Sequence, residues 1–126
     1  MIKGFEQQTH ELTDDEQAMV APIVSGLRTK INRENAITNS AMCKAMRAHG
    51  YKITPVRMRK IIHHIRVNGL VKCLVSTSKG YYITGDMREG ADYVKSLEQR
   101  IASIEQVRQA LADQFGEYYA PPLFKK

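Results

Sequence analysis

Between Thr54 and Gly69 the chain reads TPVRMRKIIHHIRVNG, a helix that carries its own start and stop. Thr54 is a good N-cap, because its hydroxyl can accept a backbone N–H of the first turn. Pro55 fits the first helical position, where a missing N–H costs nothing. Ile53 and Met58 stand where a hydrophobic staple places its two members. Met58, Ile61, Ile62 and Ile65 fall at i, i+3, i+4 and i+7, which makes one core-facing stripe. At about 100° per residue the opposite face carries Val56, Lys60, His63 and Val67, flanked by Arg59 and His64. Asn68-Gly69 ends the helix. One side of this element needs a core, and the other side needs an explanation.

Charge distribution bears on that explanation. The 126-residue chain has a formal charge of +6, which says little by itself. From Asn35 to Gly85, however, there is not one Asp or Glu, against nine Lys and Arg. The remainder holds all 13 acidic residues. Like charges gathered in one segment repel and cost stability, a cost that a polyanion partner offsets.

The flanking sequence supplies further elements. Thr13-Asp14-Asp15-Glu16 is a capping box, and the aspartates suit the positive end of the helix dipole. Met19, Val20, Ile23, Val24 and Leu27 follow at helical spacing, so a helix is expected from about Asp14 to Thr29. Pro22 should kink it. KINRENA (30–36) is a polar connection, and Ile37 is placed for a very short strand. Thr38 or Asn39 can cap a second helix of about ten residues, with Met42, Ala45 and Met46 on its apolar face and His49-Gly50 at its end. After the third helix, Leu70–Val75 and Tyr81–Ile83 are rich in β-forming residues, with Ser76–Gly80 as the turn between them. Asp86-Met87-Arg88-Glu89 resembles another capping box. A helical pattern of roughly 25 to 30 residues, about 40 Å long, then runs to Phe115, with Gly116 as its stop. Val94, Leu97, Ile101, Ile104, Leu111 and Phe115 keep a heptad-like spacing, broken by Arg108. The tail EYYAPPLFKK is expected to be disordered when alone.

This order of helix, very short strand, helix, turn, helix and hairpin resembles a winged helix-turn-helix domain. The likeness is carried by ITNSAMCKAMRAHG, ITPVRMRKIIHHIRVNG and LVKCLVSTSKGYYIT. SKGYYIT followed by YVKSLEQRI is similar to small winged-helix proteins encoded by phages and prophages. The fold class expected is therefore mainly α (α+β). It comprises an N-terminal arm (1–12), a winged domain (13–85), a C-terminal helix (86–115) and a tail (116–126). In that family the third helix enters the major groove and the hairpin touches backbone or minor groove. The resemblance implies Pro55–Val67 as recognition helix, with Arg57, Arg59, Lys60, His63 and His64 facing the groove. It makes Lys44 and Arg47 phosphate clamps, Thr54 a phosphate contact and Lys79 part of the wing tip. The outward face offers no Asn or Gln before Asn68, so no adenine-reading pair is evident. Arg57 and Arg59 can read guanine or bind only phosphates.

Other chemistry is poorly served. His63 and His64 point about 100° apart and have no ligand at i±3 or i±4, so no metal is expected. Cys43 and Cys73 match no zinc or redox spacing and read as reduced thiols, at least partly buried. No carboxylate pair, phosphate-binding glycine loop or nucleophile–base set is present, so no enzyme and no cofactor are expected. Tyr81 and Tyr82 point to opposite faces of a strand, one to the core and one half-exposed. No apolar run is long enough to span a bilayer and the N-terminus lacks a signal-peptide core, so the expectation is a cytoplasmic protein without membrane association.

The function expected is double-stranded DNA binding, as a phage or prophage regulator or replication accessory. A homodimer would form through the C-terminal helix. The rival is a protein-interaction module, in which that helix and the tail dock a partner on a winged-helix scaffold.

Overall fold

A computed structural model describes residues 11–119. The first helix, α1, spans Asp14–Leu27. Both arms of its capping box are made. Thr13 Oγ1 accepts from the Glu16 amide at 3.2 Å, and Glu16 Oε1 accepts from the Thr13 amide at 2.9 Å. Met19, Val20, Ile23, Val24 and Leu27 are all buried. Pro22 lies on the exposed side, and the helix runs past it to its end.

A short turn of 3-10 helix, Arg33–Asn35, precedes the second helix, α2, at Asn39–Ala48. Thr38 caps α2 by accepting the Ala41 amide at 3.1 Å. The third helix, α3, spans Pro55–Val67, capped by Thr54 as its sequence requires. Met58, Ile61, Ile62 and Ile65 are its buried face and join Ile53, α1 and α2 in one core. Each such side chain contributes about 2 kcal/mol by leaving water. Gly69, at φ 65°, takes the left-handed conformation that ends α3.

The first hairpin strand is shorter and later than its sequence suggests, and the second starts one residue earlier. Strand β1 is Leu74–Thr77 and β2 is Gly80–Ile83, antiparallel, with Leu74 opposite Ile83 and Thr77 opposite Gly80. Leu70–Cys73 is turn rather than strand. Cys73, at φ 61°, is left-handed and swings the chain before pairing can begin. The tip is therefore Ser78-Lys79 alone. Tyr82 is buried and Tyr81 half-buried, on opposite faces.

A third segment lies along the far side of β2. Ile37 and Tyr81 exchange both backbone hydrogen bonds, at 3.0 and 2.8 Å. The Ile83 amide also donates to Lys30 O at 2.7 Å, and Asn32 N donates to Ile83 O at 2.9 Å. Gly80 makes this possible. A Cβ there would stand 2.3 Å from the carbonyl carbon and oxygen of Ile37, and φ is +116°.

The fourth helix, α4, runs Met87–Tyr119. Asp86 Oδ1 accepts from the Arg88 and Glu89 amides, which caps its start. The reciprocal arm of a box is replaced: the Asp86 amide donates to Thr84 Oγ1, and Glu89 pairs with Arg33. Gly116 does not stop α4. A glycine ends a helix by turning left-handed, and Gly116 is not among the positive-φ residues. The chain divides into two compact units, one ending at Gly90 and one beginning at Ala91. The architecture is thus mostly helical with a small two-stranded antiparallel sheet.

Candidate nucleic-acid interface

The basic side of α3 divides in two. On the α1 flank, Arg57 Nε donates to Glu16 Oε2 at 2.9 Å and Lys60 Nζ to Glu16 Oε1 at 2.8 Å. Arg57 also donates to Lys52 O at 2.9 Å. The Glu16 side chain is only 3% exposed. Burial by itself would raise its pKa. Hydrogen bonds from Lys60, the Thr13 amide and Arg57, together with the Lys60 charge, outweigh that and hold it at about 2. The carboxylate is thus ionised in the fold, and two of the cations expected to face a groove are committed to it. Glu16 thus does more than close the capping box of α1.

Two further arginines serve the backbone. Arg47 donates through Nε and a terminal nitrogen to Ile53 O, at 3.0 and 2.8 Å. This fixes the α2–α3 connection and takes up the side chain assigned to phosphate clamping. Arg66 donates to Leu74 O at 3.1 Å and lies 5.5 Å from the centre of the Tyr81 ring. It ties the end of α3 to β1.

The remaining candidates are placed as follows. Thr54 is exposed, with its hydroxyl accepting the Arg57 amide at 3.3 Å. Lys44, Arg59, His63 and Lys79 are exposed. His64 is half-buried, and its carbonyl accepts from Asn68 Nδ2 at 2.9 Å. No hydrogen bond to the described residues restrains the Arg59 guanidinium. The open face of α3 is therefore a ridge of Val56, Arg59, His63 and Val67. The two valines are 66% and 70% exposed.

Sequence reading missed Glu16, Arg47 and Arg66 as structural groups. One signal for Glu16 was present: positions 16, 20, 23 and 27 share one helical stripe, and the other three are core residues. Nothing local marks Arg47 or Arg66, since their acceptors are carbonyls that only the fold brings near. Cys43 is buried as expected, but Cys73 is exposed, because it occupies the turn before β1.

Along α4, Val94, Leu97, Ile101, Ile104, Leu111 and Phe115 are exposed, and so is Val107. Arg108, inside that seam, is tied to Glu105 one turn back. Among the described residues no group of His, Cys, Asp or Glu is arranged to hold a metal, and no helix is long and apolar enough to cross a membrane.

No protein-family model, curated protein or solved structure matches this chain.

Proposed function

We propose that the chain is a duplex-DNA-binding protein of the winged helix-turn-helix class, with α3 in the major groove and the β1–β2 hairpin as its wing. The observation that carries this reading is the exposed α3 ridge, lying in a segment of 51 residues, Asn35–Gly85, that holds no acidic residue. The short Ile37 pairing beside the hairpin and the helix order support the class. Lys44, Arg59 and Lys79 supply phosphate contacts, and the ridge supplies whatever base reading occurs. Arg57, Lys60 and Arg47 hold the helix in place. Two copies pair through the Ile101 and Ile104 side of α4, which presents two recognition helices to a two-fold site. A phage or prophage setting, as regulator or replication accessory, fits the resemblance of the hairpin and the α4 start.

The test is fluorescence anisotropy of a labelled random duplex at about 50 and 200 mM salt. Binding that weakens steeply with salt supports the reading. No binding at the lower salt removes it.

The second reading, a protein-interaction module, is favoured by the apolar stripe of α4. The tail that would share the docking lies largely outside the described residues. A variant lacking residues 117–126 separates the two, since duplex binding does not depend on that segment.

A further inference from the structure

We propose that Val56 is a specificity-determining residue that packs on the C5 methyl of a thymine in the major groove. This rests on the duplex-DNA reading above and adds the feature of the duplex that is recognised.

Val56 occupies the first turn of α3 and is 66% exposed. It adds nothing to the core, and a β-branched residue is a poorer helix former than alanine. Its neighbours on the α1 flank have been drawn away. Arg57, next in sequence, and Lys60, one turn on, both reach back to Glu16. Free, these long cations could reach bases or phosphates themselves. With both withdrawn, the short apolar side chain is the leading group of that turn. Arg59 and His63 continue the same ridge at i+3 and i+7.

The major groove offers one apolar feature, the thymine methyl. The helix end that approaches base edges in such domains is the N-terminal one, where free backbone amides favour phosphate oxygens. That selects Val56 over Val67, which lies 11 residues further along, about 16 Å by helical rise. The segment that carries the ridge, Asn35–Gly85, has no acidic residue of its own, and the nearby Glu16 is paired with Arg57 and Lys60, which limits the repulsion that would oppose so close an approach.

The test starts from a random duplex pool, from which the full chain selects its preferred sites. The selected duplex is then remade with deoxyuridine replacing each thymine in turn, which removes only the methyl group. We expect one thymine whose replacement weakens binding about four-fold, the effect of one buried methyl. Val56→Ala, a change to a better helix former at an exposed position, should bind the thymine and uracil forms equally. Val67→Ala should still discriminate. The inference is overturned if every thymine can be replaced without loss, or if Val56→Ala discriminates as well as the parent. It is also overturned if the pool is bound but no sequence is enriched. A pool that is not bound at all overturns the DNA reading itself.

Discussion

Glu16 of α1 and Lys60 of α3 meet at 2.8 Å, although 44 residues separate them in sequence. The same carboxylate caps α1 and accepts from Arg57, so one acidic side chain sets how α3 lies on its neighbour. Such a group is costly to leave half-paired, because its burial was tolerated only with its partners.

The pH dependence follows from the direction of the Glu16 shift. In the fold its pKa is about 2, below the ordinary 4.5. As pH falls the unfolded chain takes up the proton first. Stability from this group is full above about pH 5 and is lost between the two values, by on the order of 3 kcal/mol. Glu16→Gln should lose about 2–3 kcal/mol at neutral pH and most of this acid dependence. Urea unfolding at several pH values measures both.

Arg59 and Lys60 should separate cleanly, although they are adjacent. Arg59→Ala should weaken duplex binding and reduce the salt slope by about one counterion, with little change in stability. Lys60→Ala strips a partner from Glu16 and should lower stability by about 1–2 kcal/mol. Anisotropy titrations alongside thermal melts read the two effects. A Lys60→Ala variant as stable as the parent would show that Arg57 alone satisfies Glu16.

What the sequence discloses here is what is local. The bounds of α3 at Pro55–Val67 rest on a cap, a proline and a stripe that lie side by side in the chain, and all three are visible there. The capping box at Thr13 and the extended residue Ile37 were legible for the same reason, but the partner of Ile37, Tyr81, was not. The hairpin strands shifted because the left-handed turn at Cys73 has no residue signal, cysteine being an unusual occupant. Gly116 misled because a glycine's role depends on φ, which composition does not contain. The division of the basic residues between outward-facing and internal roles was hidden almost entirely. Arg47, Arg57, Lys60 and Arg66 look alike until folding supplies each with an acceptor.

Glycines should differ sharply in tolerance. Gly80→Ala puts a methyl into the Ile37 backbone at a positive φ and should cost about 3 kcal/mol or more. Gly90→Ala, inside α4 with nothing within 4 Å of the added carbon, should stabilise by about 0.5–1 kcal/mol. Denaturant midpoints of the two variants should move in opposite directions.

The two thiols should be distinguishable by reagent. Cys73 is exposed and should react promptly in the native protein. Cys43 is buried, and burial raises its pKa against the lowering influence of Arg47 and Arg59. It should react only on unfolding, so an aromatic disulfide reagent should titrate one thiol before denaturant and a second after it.

Self-association should depend on the apolar seam of α4. Replacing Ile101 and Ile104 together by Ser should reduce the mass measured by sedimentation equilibrium to that of one chain. The unit ending at Gly90 should keep its core, because neither residue belongs to it.

The two neighbours of β2 carry a consequence for solubility. With β1 on one side and the backbone of residues 30–37 on the other, β2 has no open margin left for a foreign strand. The outer margin of β1 is only four residues long, and Arg66 already occupies Leu74 O. Short length and a guarding cation are both known deterrents to edge-to-edge growth. A molecule with so small a sheet is thus protected from templating fibrils at its most β-prone segment. That protection depends on Gly80 allowing Ile37 to lie against the strand.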